Sequence, residues 1–185
     1  MIGNFIADHV RGNHFGHFDV EIQQGILLHR AIDTFTDAHP IVRKSKRRLH
    51  QRYRHYDGVI IDILYDHFLA KNWANYSAIP LGIYTKGVYE LFTEKSAELP
   101  IKSQQFISYM VEYDILYNYQ FEDGIERVLK GMNNRTKGKS QMNLAIEDLK
   151  TLKNELQEDF TLFFEDLREF TNQKLLDLTV ITNEE

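Results

Sequence analysis

The sequence predicts an all-α protein, a single-domain bundle of several helices, and three observations carry that prediction. Apolar residues recur at helical steps of three and four in segment after segment. Only 3 prolines and 10 glycines interrupt the 185 residues, and the long gaps between them favour continuous helices over a sheet with many turns. No internal repeat, low-complexity tract or convincing strand pattern is present. The length suits one domain with a substantial core, because two domains would each be small.

Taken in order, residues 2–11 form a short apolar-periodic segment ending before Gly12, followed by a polar loop over 13–17. Asp19 is positioned to cap a helix that runs to about Asp37 and stops ahead of Pro40. Pro40 then opens a strongly basic helix as its first residue. Asp57 is expected to cap the next one, which buries Val59, Ile60, Ile63, Leu64, Phe68 and Trp73. Residues 81–99, 103–119 and 121–132 read as three more helices, rich in Tyr and Phe where a core needs bulk. Residues 133–139 break the pattern as a flexible loop. From Ser140 to Leu178 neither Gly nor Pro intervenes, which allows one helix roughly 50 Å long at about 1.5 Å per residue, a kinked helix or a hairpin. The domain is expected to span residues 1–178, with 179–185 as a frayed tail.

Composition narrows the chemistry. With 0 cysteines there is no disulfide, thiolate metal site or cysteine nucleophile. Any metal must be held by His, Asp or Glu, a set that suits Mn²⁺, Mg²⁺, Fe or Zn²⁺. No apolar run approaches the roughly 20 residues of a spanning helix, and no signal peptide is recognisable, so the expected location is cytoplasmic, with no membrane partner. A net charge of −5 argues against wholesale coating of nucleic acid.

One stretch organises the rest: Gly25-Ile-Leu-Leu-His-Arg-Ala-Ile-Asp-Thr-Phe-Thr-Asp37. His29, Asp33 and Asp37 follow at i, i+4 and i+8, which stacks an imidazole and two carboxylates on one side of a helix. Asp8, among Ile6, Ala7 and Val10, stands in apolar surroundings and needs a partner. Asp62 and Asp66 repeat the i, i+4 spacing beside His67, and two carboxylates there repel unless a cation or proton lies between them. The three stretches are expected to form one pocket, although a hydrogen-bonded His–Asp pair and a solvated acidic face explain the same spacings. His9, His14, His17, His39, His50 and His55 are expected at the surface. Arg43, Lys44, Lys46, Arg47, Arg48, Arg52 and Arg54 crowd a single short helix, either as a solvated face or as a dock for an anionic partner.

Gly3-Asn-Phe-Ile-Ala-Asp-His-Val-Arg-Gly12, Gly25-Ile-Leu-Leu-His-Arg-Ala-Ile-Asp33 with Thr36-Asp37, and Asp62-Ile-Leu-Tyr-Asp-His-Phe-Leu69 with Trp73 together resemble the acyl carrier protein phosphodiesterases. Gly124-Ile-Glu-Arg-Val-Leu-Lys-Gly-Met132 with Arg135 is similar to a later motif of that family. The resemblance implies a divergent HD-domain-like phosphohydrolase that removes 4′-phosphopantetheine from holo acyl carrier protein, leaving the apo protein. It implies a divalent metal, Mn²⁺ first with Mg²⁺ or Fe²⁺ as alternatives, held by Asp8, His29, Asp33 and Asp66. In that reading Asp8, Asp62 and His67 are catalytic, with His67 the acid for the leaving alkoxide. Arg11 and Arg30 either grip phosphoryl oxygens or stand as plain surface charges, and the basic residues 43–54 steer the acidic carrier protein. Family members usually begin about fifteen residues earlier, with a segment like Asn-Phe-Leu-Ala-His, so a further ligand histidine is expected upstream of Met1. Two other functions fit the same residues: an HD-type hydrolase of nucleotides or small phosphoesters, and a non-catalytic helical module that binds an acidic protein or nucleic acid.

Overall fold

The computed structural model describes residues 1–182, and among them every regular element is helical. Helix α1 (Ile2–Ile6) runs into a 3-10 turn (Ala7–His9), and after the loop come α2 (Val20–Ala38) and α3 (Pro40–Tyr53). Next are α4 (Asp57–Lys71), α5 (Leu81–Lys95) and α6 (Ile101–Glu112). Then follow α7 (Ile115–Asn118), α8 (Glu122–Arg135), α9 (Ala145–Thr151) and α10 (Lys153–Thr182).

Several boundaries depart from the sequence reading, each for a local reason. Asp19 does precede α2, but Asp57 is the first residue of α4 rather than its cap, and its carboxylate accepts a hydrogen bond from His50 Nδ1 at 2.7 Å. The single helix expected over 103–119 is two, because Asp114 turns left-handed at φ 45°. The Asn118 side chain donates to the carbonyls of Tyr113 and Asp114, satisfying groups that the break exposes. Helix α8 continues to Arg135, into the segment expected as a loop. The long C-terminal stretch breaks at Leu152, and the 30 residues of α10 span about 45 Å at about 1.5 Å each. That helix continues past Leu178 to Thr182; the rest of the expected tail, 183–185, lies outside the described residues.

Two apolar clusters form the core. One gathers α3, α4, α8, α9 and α10 around residues such as Leu49, Leu64, Phe68, Leu129, Leu156 and Phe160. The other gathers α1, α2, α5 and α6 around Ile6, Ile26, Val88, Phe92, Ile107 and Met110. Each such side chain removed from water contributes about 1.5–3 kcal/mol. Tyr119 and Val128 pack against both clusters, and α2 bridges them, with Ile26 in one and Phe35 against the other. The middle of α2, from His29 to Asp33, therefore sits over the seam.

Glycine sets how closely α1 approaches that helix. A methyl group added at Gly3 would lie 2.0 Å from the Ile22 carbonyl oxygen, and one at Gly25 would lie 3.0 Å from Gly3 Cα. No larger residue fits at Gly3 without parting the helices, which is how Asn4 and Asp8 come to face His29.

Candidate functional site

His29, Asp8 and Asp33 converge as the spacing on α2 and the glycine crossing require. His29 Nε2 lies 3.3 Å from an Asp8 carboxylate oxygen and 3.1 Å from one of Asp33. One ligand atom from each of the three falls within 4.8 Å of the others. On the far side of the ring, Nδ1 is 2.9 Å from Asn4 Oδ1. An amide oxygen only accepts, so Nδ1 carries the hydrogen and its tautomer is fixed. Nε2 is then left between two carboxylates, which it satisfies either as the N–H of an imidazolium or by sharing a cation with them. Burial pushes the Asp33 carboxyl above the ordinary carboxylate range against the pull of His29, and Asp8 and Asp37 push it further. Crowded negative charge of this kind favours an added cation.

Two clefts open on either side of this group. The first, about 630 Å³, is lined by Asp8, His29, Asp33, Asp37, Asp62 and Asp66 against a wall that includes Phe160, Phe163 and Phe164. Asp62 and Asp66 keep contact with water in this cleft, and packed protein atoms around each carboxyl desolvate it in part. Burial pushes Asp66 up to about 7, helped by the neighbouring Asp62. Burial likewise raises Asp62 to about 6, with Lys46 opposing and Asp37 and Asp33 adding. The second cleft, about 770 Å³, shares Asp8 and His29 and adds Asn4, Phe5, His9, Phe106, Tyr109, Lys102 and Arg135.

Of the four residues expected as ligands, Asp8, His29 and Asp33 form the tight group; Asp66 lines the same cleft but is not part of it. His67 does not reach the site at all. It is 0 % exposed, its Nδ1 donates to the Tyr119 carbonyl at 2.7 Å, and burial lowers its pKa. One residue along a helix turns a side chain by about 100°, so Asp66 and His67 cannot share a face. Sequence adjacency to an acid was the wrong guide there.

The arginine expectations are corrected as well. Arg30 donates to the carbonyls of Val10 and Gly12 at 3.1 and 2.6 Å and lies over the Phe15 ring, clamping the loop before α2. Arg11 is exposed and lines neither cleft. The basic helix α3 is not a bare cationic face. Asp159 on α10 is only 1 % exposed, and Lys44, Ser45 and Arg48 all donate to it. Lys46 pairs with Asp37, and Arg52 with Asp148. A buried carboxylate demands such compensation, so much of that positive charge ties α10 to α3. Arg47 and Arg54 remain exposed without an ion pair among the described residues, and Arg43 donates to the Asp37 carbonyl.

Other histidines also differ from expectation. His39 is buried against Phe35 and Phe163, with Nε2 3.2 Å from Asp166. His9 is half-buried in the second cleft, with Nδ1 2.7 Å from the buried Ser103 hydroxyl and no protein partner for Nε2 among the described residues. Val59, expected in the core, is 37 % exposed.

Comparison with known proteins gives a consistent picture. The sequence profile of the family described as acyl carrier protein phosphodiesterase matches residues 1–167. The acyl carrier protein phosphodiesterase of Klebsiella pneumoniae (strain 342) is 30% identical over 175 residues, covering 94% of this chain and 91% of the relative. The protein of that name from Photorhabdus laumondii is 30% identical over 152 residues, covering 80% and 76%. That from Salmonella agona is 29% identical over 165 residues, covering 89% and 86%. No solved structure matches.

Proposed function

The chain belongs to the acyl carrier protein phosphodiesterase family, and from that premise we propose that it hydrolyses the phosphodiester joining a carrier-protein serine to 4′-phosphopantetheine, aided by a divalent metal. The observation that carries the reading is the convergence of Asp8, His29 and Asp33 where two clefts meet. Two carboxylates and an imidazole with its Nδ1 hydrogen held by Asn4 match the donor set of Mn²⁺ or Fe²⁺, and the orienting amide fixes the ring for ligation. Bound there, a divalent cation would neutralise charge on the phosphoryl oxygens and make a water more acidic. Kinship with the HD-type hydrolases belongs to this same reading.

The chain's own residues divide the proton work between the clefts. Asp66, with a pKa near the working pH, takes a proton from the attacking water on the acidic side. Burial, helped by Asp62 beside it, keeps the Asp66 carboxyl basic. The water oxygen bonds to phosphorus, the bond from phosphorus to the serine oxygen breaks, and that oxygen leaves on the other side. His9, held at Nδ1 by Ser103, presents Nε2 to give it a proton. The products are apo carrier protein and 4′-phosphopantetheine.

Incubating the protein with Mn²⁺ and holo acyl carrier protein, and following the carrier mass, tests the reaction. Loss of the phosphopantetheine mass with release of the free arm is the expected result. Turnover of a nucleotide panel with the carrier untouched would replace the substrate assignment.

A further inference from the structure

We infer that the acidic carrier protein docks over the cleft between α6 and the end of α8, through Lys102 and Arg135, and not along the basic helix α3. This rests on the function proposed above. The sequence favours α3 because it counts cations, whereas the structure separates those already neutralised from those still available. In the basic stretch, Lys44, Lys46, Arg48 and Arg52 each face a carboxylate of the chain itself, and Arg43, Arg47 and Arg54, which do not, line neither cleft. Elsewhere on α8, Arg127 pairs with Asp123 and Lys130 with Glu126. Lys102 and Arg135 are exposed, have no ion pair among the described residues, and line the cleft that contains Asp8 and His29.

The surface around them has the composition of a protein interface. Ser103, Ile107 and Met110 bury one side of α6. The neighbouring stripe, about 100° round the helix from them, presents Lys102, Phe106 and Tyr109 and is continued by Tyr113 just past the helix end, with Phe106 and Tyr109 each 40 % exposed and Tyr113 53 %. Aromatic anchors next to unpaired cations suit a partner that is acidic and offers some apolar surface. The opposing cleft brings Asp33, Asp37, Asp62 and Asp66 together and would repel such a partner. Docking on the α6 side also delivers the serine oxygen to the cleft that holds His9.

The test compares wild type, Lys102→Glu/Arg135→Glu, Lys102→Arg/Arg135→Lys and Arg47→Glu/Arg54→Glu. Each is assayed for binding to holo acyl carrier protein by fluorescence anisotropy at low and raised salt, and for Mn²⁺-dependent hydrolysis of a bis(nitrophenyl) phosphate. Reversal at Lys102 and Arg135 should weaken carrier binding about tenfold or more and flatten its salt dependence, because rim charges set encounter with a charged partner. The conservative pair and Arg47→Glu/Arg54→Glu should each bind the carrier within about twofold of wild type and cleave the small ester as wild type does. Unchanged binding by the reversed pair, absence of carrier binding by wild type, or loss of small-ester cleavage along with binding would each overturn the inference. Because binding is read without turnover, a wild type that binds the carrier and cleaves nothing contradicts the hydrolase reading while the docking result stands.

Discussion

The two clefts that meet at His29 are built from opposite materials. On the α10 side Asp33, Asp37, Asp62 and Asp66 crowd a wall of phenylalanines, and burial raises three of those carboxyls. On the α6 side the acid is Asp8 alone, and Lys102 and Arg135 stand beside aromatic rings. The contrast separates two tasks that a phosphodiesterase acting on a protein must combine. Concentrated negative charge attracts a cation and tunes a base, whereas a large acidic substrate needs positive charge close enough to place its serine at the reacting group. Putting both around His29 keeps these demands adjacent without cancelling them.

Breaking the shared centre should have the largest effect. Asp33→Ala should lower Mn²⁺-dependent turnover about 10³-fold on either substrate, since it removes part of the charge arrangement around the phosphoryl group. Its thermal unfolding should stay near wild type because the Asp33 side chain is 57% exposed. Next come the residues assigned to one cleft each. His9→Asn and Asp66→Asn should each lower kcat on the carrier about 10²-fold with KM little changed. They should differ in pH dependence: activity rises with pH through about 7 in wild type as Asp66 loses its proton, and Asp66→Asn should lose that rise. A retained rise would remove Asp66 as the base.

Smaller effects sharpen the contrast through stability. A carboxyl with a folded pKa of about 7 against an ordinary 3.8 binds more protons folded than unfolded between those values, so stability falls as pH climbs through that window. Water reaching Asp66 trims the effect. Asp66→Asn should therefore raise Tm by about 2–4 °C above neutral pH and change it little below pH 4, the size of about 1 kcal/mol in a chain this long. An equal change at both pH values would show that packing, not ionisation, sets the difference.

How much of this was legible in the sequence varies by residue. The helical class followed from spacing and from the scarcity of Gly and Pro, and the pairing of His29 with Asp33 followed from i, i+4 geometry. Asp8 was found because a carboxylate among Ile6, Ala7 and Val10 needs a partner. His67 misled because neighbours in sequence point to different sides of a helix. The ion pairs of the basic helix were not legible because most of its neutralising charge comes from Asp148 and Asp159, about a hundred residues downstream, where no local pattern links them. Lys102 and Arg135 are single cations on separate helices and become a feature only when the fold brings them to one cleft.

The measurement closest to the central claim is a calorimetric titration of metal-free protein with Mn²⁺, compared with Asp33→Ala and with Arg47→Glu/Arg54→Glu. One Mn²⁺ per chain in wild type and in the α3 variant, with at least about tenfold weaker binding in Asp33→Ala, is the predicted result. Equal binding by wild type and Asp33→Ala, or none by wild type, would contradict a metal centre built on Asp8, His29 and Asp33.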